Sequence, residues 1–380
     1  MRNRFSLSAL AVLALGLSLS LPATSQTYKF NTLYSFKNNG TDPKTPSALI
    51  IDGSGNLYGT SISGGTFNNG AVFKVTPKGA LSLLYSFNGN DSTDAVSPIN
   101  LMRDSKGNLY GDTRALVKSY VGDLFELTPQ SDGTYTFASL YVAPDVAAQI
   151  VLNPAGDLFW LNCGYEGGPT CDNNTSLNEI SNGQNSVLYF FTSTGFYASG
   201  NYVMDKSGNI YGTEAGDGGQ TSWGLVYKWS PVSGFSVLHT FNGTDGSAPD
   251  ALRQDGSGNL FGTTGGGGFI GGVYSYGTVF KISSSGSFST LYNFCSKTNC
   301  ADGSYPVGAL TLDSKGNIFG VLISGVFKLT SSGVESLLHR SASVFMGPGL
   351  VMDKAGNLYG TTLNGGSAGL GSVYRLTVSP

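Results

Sequence analysis

A nine-residue motif that recurs seven times is the feature that most restricts the fold of this chain. It reads DGSGNLYGT from Asp52 and DKAGNLYGT from Asp353. The other copies begin at Asp104, Asn153, Asp205, Asp255 and Asp313, and consecutive copies are 52, 49, 52, 50, 58 and 40 residues apart. Self-similarity at such a period is typical of proteins built from equivalent stacked units.

Each unit contains four short segments that are typical of β-strands. An apolar run such as ALIID leads into the motif, and the motif itself contains an aliphatic–aromatic pair. Two further runs follow it, such as AVFKVT and LLYSF. These segments are rich in Val, Leu, Phe and Tyr and are bounded by Gly, Ser, Asn or Pro. Four strands in a unit of about 50 residues predict the blade of a β-propeller. We therefore predict an all-β fold, a seven-bladed β-propeller with four antiparallel strands per blade.

The two ends of the chain predict how the ring closes. The sequence ends on a third strand, SVYRLT at 372–377, and TLYSF at 32–36 supplies a fourth strand near the start. The N-terminal strand is expected to complete the last blade, which removes two open sheet edges. A linear β-solenoid is the alternative, but its ends would not need to complement each other. Residues 26–380 are predicted to form one domain.

The repeated motif could be mistaken for a calcium loop, because Asp52, Ser54 and Asn56 place oxygen donors at alternate positions. The third position becomes Lys106 and Lys315 in two copies and Ala355 in another, and a lysine ammonium would repel a cation. A calcium loop also requires Gly at the sixth position and Glu at the twelfth. All seven copies instead keep Gly at the fourth position, where a hairpin turn needs a positive φ. The motif is interpreted as a turn, and no metal or cofactor is predicted.

Other chemical motifs are weak. The glycine-rich run at 265–272 lacks the GK[ST] of a phosphate loop. His239 and His339 are the only histidines, and both take the place of Tyr in a fourth strand, which predicts a structural role. A repeated D-x-x-x-P is interpreted as a loop-forming element, with a cation-binding carboxylate ring as the alternative. It begins at Asp42, Asp94, Asp245 and Asp302.

The N-terminus predicts export. Arg2 and Arg4 precede an apolar run at 5–21, and ATS at 23–25 fits a signal-peptidase site, so residues 1–25 are predicted to be a signal peptide. A membrane anchor is the alternative, but no stop-transfer charges follow. The protein is expected to be secreted, or alternatively periplasmic, with no membrane span after cleavage. Only 12% of residues are charged and no basic stripe is present, which argues against a nucleic-acid partner.

Four cysteines in an exported chain predict two disulfides. Three connectivities are possible, and Cys163–Cys171 with Cys295–Cys300 is favoured because each pair lies in one loop. A zinc site is the alternative, although neither pair has CxxC spacing or a nearby His.

The recurring pattern resembles the GloVer tandem repeat of exported bacterial proteins, and more loosely NHL-type and Kelch-type propellers. The resemblance rests on ALIIDGSGNLYGT, GAVFKVTPKG and LLYSFNG recurring in register, and it covers about residues 28–380. It implies an exported repeat protein with no established reaction. The chain departs from many members by ending without an anchor segment, which favours release. It departs again at Trp160, where other copies mostly have Gly.

Blade topology predicts two different faces. The first-to-second and third-to-fourth connections are short and share one face, while the other connections are longer and share the opposite face, where a ligand is expected. Exposed aromatics beside acids and amides suit sugar rings or polypeptides, unless they tuck back onto the blades. The candidates lie on blades 3 to 5: Tyr165, Glu166, Phe196, Tyr197, Glu214, Asp217, Trp223, Phe269, Tyr274 and Tyr276.

Two arginines on first strands, Arg103 and Arg253, are candidates for the central channel. Taken together, the sequence predicts a secreted, monomeric, non-enzymatic module that binds an extracellular glycan or protein. The alternatives are a propeller enzyme, such as a lyase or a glycan-active hydrolase with its site at the channel mouth, and a purely structural surface protein.

Overall fold

A computed structural model describes residues 27–89, 96–114, 121–144, 146–162, 175–191, 198–216, 223–270, 273–274 and 276–378. These residues form seven four-stranded antiparallel sheets, with a small two-stranded hairpin beside one of them. The predicted all-β, seven-bladed propeller is confirmed. The predicted signal peptide at 1–25 lies outside the described residues.

The strands follow the repeat in chain order, and each blade runs from an inner first strand to an outer fourth strand. Blades 1 to 3 are β2 (Pro43–Ile51), β3 (Leu57–Gly64), β4 (Ala71–Val75) and β5 (Leu81–Ser86); β6 (Val96–Arg103), β7 (Leu109–Arg114), β8 (Val121–Pro129) and β9 (Tyr135–Pro144); and β10 (Val146–Leu152), β11 (Leu158–Asn162), β12 (Ser176–Ser181) and β13 (Gln184–Phe190). Blades 4 and 5 are β14 (Ala198–Met204), β15 (Ile210–Glu214), β16 (Leu225–Ser230) and β17 (Gly234–Thr240); and β18 (Ser247–Gln254), β19 (Leu260–Gly266), β22 (Thr278–Ile282) and β23 (Phe288–Asn293). Blades 6 and 7 are β24 (Pro306–Leu312), β25 (Ile318–Leu322), β26 (Gly325–Leu329) and β27 (Glu335–Arg340); and β28 (Val351–Met352), β29 (Leu358–Thr362), β30 (Ser372–Val378) and β1 (Tyr28–Ser35). The hairpin is β20 (Phe269–Ile270) with β21 (Val273–Tyr274), and a 3-10 turn covers Thr298–Cys300.

The ring closes as the two ends of the sequence predict. The N-terminal strand β1 pairs antiparallel with the C-terminal strand β30, from Tyr28 opposite Val378 to Ser35 opposite Ser372. Blade 7 therefore takes its outer strand from the start of the chain and its other three from the end. The pairing satisfies backbone groups that would otherwise form an open edge on β30.

The repeated motif forms the turn between the first and second strands of every blade. In the first copy, the N–H of Gly55 donates to the carbonyl of Asp52 at 3.0 Å, and the N–H of Asp52 donates to the carbonyl of Asn56 at 3.0 Å. Gly55 has φ +81°, which is left-handed and favours glycine. These uniform turns define the short-turn face, and the second-to-third and fourth-to-first connections define the long-loop face.

Neighbouring strands pack by pairing a glycine with an aromatic ring. In blade 6, Gly320 of β25 lies opposite Phe327 of β26, and a Cβ at residue 320 would lie 2.5 Å from that ring. Blade 3 reverses the sizes, because the buried Trp160 of β11 lies opposite the buried Asn178 of β12. This exchange of sizes explains why the copy in blade 3 has tryptophan at the eighth position of the motif, where the other copies have glycine.

No helix among the described residues is long and apolar enough to cross a membrane.

Candidate functional site

The carboxylate of the aspartate at the first position of the repeated motif accepts hydrogen bonds from the turn itself. Asp52 Oδ1 accepts the N–H groups of Ser54 and Asn56, both at 2.9 Å. Its Oδ2 accepts the Asn56 amide at 2.9 Å and the Tyr58 hydroxyl at 3.1 Å. Both carboxylate oxygens therefore serve the hairpin and the first packed aromatic residue.

The same arrangement recurs in the other blades. Partial burial opposes ionisation of these carboxylates, but the hydrogen bonds outweigh it and lower the pKa in four copies, the turn aspartates Asp52, Asp205, Asp255 and Asp353. In blade 3 the partners are exchanged, since the Asn153 amide donates to the Asp157 carboxylate at 2.8 Å. The geometry agrees with the interpretation of the motif as a turn. No cluster of three or more His, Cys, Asp or Glu side chains suited to a metal ion occurs among the described residues.

The aspartates of D-x-x-x-P join the outer strand of one blade to the start of the next. The Tyr34 hydroxyl donates to Asp42 at 2.6 Å, and the Tyr292 hydroxyl donates to Asp302 at 2.8 Å. In the equivalent place His239 Nε2 lies 2.9 Å from Asp245. His239 thus replaces a tyrosine as the partner of a loop aspartate, in keeping with a structural role. Asp94 lies outside the described residues.

Both histidines also stack on phenylalanines of the next blade. The His239 ring lies 3.6 Å from Phe288, and the His339 ring lies 3.9 Å from Phe30. Burial lowers the pKa of His339, so its neutral form is favoured. Tyr85 stacks on Phe137 in the same manner.

The residue before the proline of D-x-x-x-P has an unusual backbone. Thr45, Ser97, Ala248 and Tyr305 all have positive φ, between +49° and +58°. This conformation is uncommon for residues with a side chain, and before proline the extended region is preferred. Each of these N–H groups donates to the preceding blade's second-to-third connection; the Tyr305 N–H donates to the Tyr276 carbonyl at 2.8 Å. The left-handed residue thereby links neighbouring blades along the long-loop face.

The predicted binding residues of blades 3 to 5 form two groups: those outside the described residues and those that the structure places. Tyr165, Glu166, Phe196, Tyr197 and Asp217 lie outside the described residues. Phe269 and Tyr274 are paired across the β20–β21 hairpin. Glu214 is buried at the end of β15, and Trp223 is half-buried, with its indole against Gly243. Tyr276 is exposed on the long-loop face, as the prediction requires.

Three residues that sequence reasoning did not select accompany Tyr276. Tyr305, Ile323 and Phe345 are all exposed, and together with Tyr276 they define the apolar rim of blades 5 to 7. The Tyr276 and Tyr305 rings lie 5.2 Å apart, edge to face. A signal for Tyr305 exists in the sequence, because it precedes the D-x-x-x-P proline where other blades have Thr45, Ser97 or Ala248.

The apolar rim is exposed because blade 6 has a very short connection. Its second and third strands are joined only by Ile323 and Ser324, whereas 65–70 join those strands in blade 1 and 363–371 in blade 7. The expectation of a long connection fails at this blade. The short turn leaves Tyr305 uncovered beside it, and the Ile323 N–H donates to the Tyr305 carbonyl at 3.1 Å.

The two arginines proposed for the channel lie near the short-turn face. Arg103 is the last residue of β6, is exposed, and has its guanidinium 5.6 Å from the Tyr58 ring centroid. Arg253 is exposed one residue before the end of β18. Their strands run toward the turns at this end, away from the long loops, and a role in the channel stays a prediction.

The predicted disulfide Cys295–Cys300 is confirmed, and Cys163 and Cys171 lie outside the described residues. The disulfide loop contacts the outer strand of blade 6. Lys297 Nζ donates to the buried Glu335 carboxylate at 2.7 Å, and Arg340 Nη2 donates to the Cys300 carbonyl at 3.3 Å. Burial raises the pKa of Glu335 although Lys297 opposes the shift. The loop thus links blade 5 to the outer strand of blade 6.

The sheets, their closure and their faces define a β-propeller with one variable face. The chain belongs to the Gloeobacter/Verrucomicrobia repeat family, which matches residues 20–159 and 165–374. The resemblance drawn from the repeated motifs is therefore confirmed. No curated protein matches the chain.

Solved structures share the fold at low sequence identity. The virginiamycin B lyase from Staphylococcus aureus has a TM-score of 0.63 and 14% identity, covering 93% of this chain and 100% of the lyase. A streptogramin B lyase has a TM-score of 0.64 and 13% identity, covering 93% and 98%. The extracellular domain of BT4673 from B. thetaiotaomicron has a TM-score of 0.59 and 10% identity, covering 91% of this chain and 39% of that one. At these identities the likeness concerns the fold alone.

Proposed function

We propose that the protein is an exported, non-enzymatic binding module that takes a carbohydrate on the apolar rim of its long-loop face. The observation that carries the proposal is the adjoining pair Tyr276 and Tyr305, which are 42% and 43% exposed. Tyrosine combines an apolar ring with a hydroxyl, so it can cover the C–H face of a sugar and also hydrogen-bond to it. Large exposed apolar side chains that adjoin one another commonly mark a binding surface.

The backbone beneath the rim favours binding without large rearrangement. Tyr305 donates to the carbonyl of Tyr276, Ile323 donates to that of Tyr305, and Met346 donates to that of Ile323 at 3.1 Å. These bonds join three blades in one line, which lowers the entropy lost when a ligand orders the surface. The Phe345 N–H is similarly held by the Asn364 side chain at 2.7 Å.

A binding role fits the environment of the histidines better than a lyase-like role. The structural relatives include a lyase, and a proton-transferring group would have to reach a substrate at the channel mouth. His239 and His339 are instead stacked on phenylalanines in or beside outer strands. The rim, in contrast, needs only surface, shape and a few hydroxyl groups to hold a sugar.

Affinity electrophoresis and pull-down assays test the carbohydrate assignment. The exported protein, expressed from the full chain, is run with soluble xylan, β-glucan and pullulan and mixed with insoluble cellulose and chitin. We expect retention by at least one polysaccharide. Tyr276→Ala and Tyr305→Ala should each weaken retention by about tenfold, the loss expected for an aromatic contact at a binding hot spot.

Two controls separate the rim from general surface effects. Phe190→Ala removes an exposed aromatic residue from the outer strand of blade 3, and Val334→Ala removes an exposed apolar residue from the short-turn face. Both should bind like the wild type. Retention that is unchanged in the Tyr276→Ala/Tyr305→Ala double variant, or no retention by any polysaccharide, would refute the assignment and favour a protein ligand or a purely structural role.

Export is tested separately by expression of the full chain in a Gram-negative host. We expect the product in the periplasm or medium, with Gln26 at its N-terminus. An uncleaved product in the cytoplasm would contradict this part of the proposal. The disulfide Cys295–Cys300 supports export, since disulfides persist in oxidising compartments.

A further inference from the structure

One side-chain position on the long-loop side is filled by phenylalanine in five blades and by serine in blade 6. The residue at this position follows directly after the outer strand. Its N–H donates to the carbonyl of the residue just before the third strand of the same blade, as in Phe241 to Gly224 at 2.9 Å. Ser341 makes the same bond, to Ser324 at 2.8 Å. The phenylalanines are all buried: Phe36, Phe87, Phe191, Phe241 and Phe294. Ala143 has the corresponding backbone register in blade 2.

The surroundings of Ser341 match the surroundings of the phenylalanines. Phe241 lies 4.8 Å from the His239 ring and 5.7 Å from Phe288, measured between ring centroids. The corresponding residues next to Ser341 are His339 and Phe30, which are stacked on each other. The aromatic residues around the site are therefore kept in blade 6. The Phe241 ring that such residues surround in blade 4 is replaced there by the hydroxymethyl side chain of Ser341.

A cavity of about 120 Å³ lies at this place between blades 6 and 7. Phe30, His339, Ser341, Val344 and Met346 line it, together with the buried Thr362 and Ser372. Met346 is buried in the cluster around Tyr374, where the other blades place the phenylalanine, and it fills part of the space. Thr32 and Gly366 also line the cavity and are exposed, so a small molecule can reach it from solvent.

We infer that this cavity binds a small monocyclic aromatic compound carrying a hydroxyl group, such as a simple phenol. The size fits, because a protein cavity of roughly 150 Å³ accommodates benzene. Phe30 and His339 provide ring contacts, and Val344 and Met346 provide apolar ones. Ser341 Oγ accepts the N–H of Val344 at 3.0 Å, which leaves its own hydrogen free to donate to a phenolic oxygen. The site is separate from the apolar rim and does not depend on the carbohydrate assignment.

Phenol itself is the probe, measured by saturation-transfer NMR and by the shift of the melting temperature. We expect a dissociation constant on the order of 1 mM, which suits a ligand of about seven non-hydrogen atoms. Cyclohexanol, with the same hydroxyl but no aromatic ring, should bind at least about fivefold more weakly. Equal binding of phenol and cyclohexanol would overturn the aromatic preference. N-acetyl-tyrosinamide distinguishes a free phenol from a peptide side chain, and tighter binding of the amide would overturn the small-molecule assignment.

Variants locate the site. Ser341→Phe places the ring of the other blades in the cavity and should weaken phenol binding by more than about tenfold. Ser343→Phe adds the same side chain at an exposed residue of the same loop, outside the cavity lining, and should bind like the wild type. If Ser341→Phe does not fold, Thr32→Trp at the open side of the cavity serves as the blocking variant, because Thr32 is exposed on the edge of its blade. Unchanged phenol binding in the folded blocking variant, or no binding by the wild type at 20-fold above the expected constant, would refute the inference.

Discussion

The reversed size pair of blade 3 predicts that blade 6 can be repacked in the same way. Gly320 faces Phe327 in blade 6, whereas Trp160 faces Asn178 at the same register in blade 3. Trp160 Nε1 also donates to Asn185 on the outer strand at 3.1 Å. We predict that Gly320→Trp and Phe327→Asn are each strongly destabilising alone and largely compensate each other when combined.

The magnitudes follow from the contacts. A Cβ at residue 320 already lies 2.5 Å from the Phe327 ring and 2.8 Å from Leu310, so a tryptophan there should cost at least about 3 kcal/mol of unfolding free energy. Phe327 is fully buried, and replacing it with asparagine should cost about 3–5 kcal/mol. In the double variant the indole occupies the volume that the phenyl ring leaves. In blade 6, Glu335 occupies the outer-strand position that Asn185 has in blade 3. Its buried Oε1 has no hydrogen-bond partner among the described residues and can accept from the indole.

The assay is a double-mutant cycle on urea unfolding followed by fluorescence. We expect a total cost of about 3–4 kcal/mol for the double variant, against a sum of about 6–8 kcal/mol for the singles, so the coupling should be about 3 kcal/mol. The control combines Gly59→Trp in blade 1 with Phe327→Asn in blade 6, two sites in separate clusters, and its costs should add within about 0.5 kcal/mol. Costs that also add within this margin for Gly320→Trp with Phe327→Asn would refute the idea that the pair exchanges volume.

Three further predictions concern the turns and the disulfide loop. Asp205→Ala leaves four donated hydrogen bonds without their acceptor and should lower the unfolding free energy by about 1–2 kcal/mol, whereas Asp205→Asn, which copies Asn153, should cost about half as much or less in the same urea titration. The folded-state pKa values of the four turn aspartates are lowered. The stability that these carboxylates contribute to the fold is therefore complete above the unfolded pKa of about 3.9, and it is lost as the pH falls through the folded pKa values. A melting temperature that stayed constant from pH 5 to pH 2 would contradict this, and Asp205→Asn should show a shallower fall than the wild type. Lys297→Met removes the cation from buried Glu335 and should cost about 1–2 kcal/mol at pH 7, since the lysine itself is half-exposed. That cost should shrink as the pH falls and Glu335 is protonated, and a cost independent of pH would show that the ion pair is not its source.

The repeat made the fold predictable because every unit carries the same strand and turn signals. The number of blades follows from seven copies of the motif, and the closure follows from a fourth strand at the start and a third strand at the end. The tight turn was readable because glycine is kept at a position that has positive φ, as at Gly55. Comparing the copies also showed that their possible cation ligands vary, which favoured a turn over a calcium site.

The site was less predictable because exposure depends on neighbouring blades and not on residue type. Tyr276 and Trp223 both lie in second-to-third connections, yet Tyr276 is exposed while Trp223 packs against Gly243. Tyr305 lies in a fourth-to-first connection within the D-x-x-x-P motif that begins at Asp302, but that motif predicts a loop and not the exposure of its residues. Phe345 lies in the next fourth-to-first connection, which has no such motif. Their exposure follows from the two-residue turn at Ile323. Predicting this effect from the sequence would require knowledge of which loops lie beside that turn.

Departures from the repeat fall into two kinds, and only one kind points to binding. Trp160 departs from the glycine of other copies, but Asn178 compensates in volume, so the blade surface and core are restored. Ser341 departs from phenylalanine with only partial compensation by Met346, and a cavity is left. The short turn at Ile323 leaves Tyr305 exposed, although the corresponding connections of blades 5 and 7 are longer. A protein under selection for structure alone would be expected to repair such defects, because each one forgoes buried apolar area worth about 25 cal/mol per Å². Two uncompensated departures in one blade therefore support the proposal that blade 6 and its borders meet ligands.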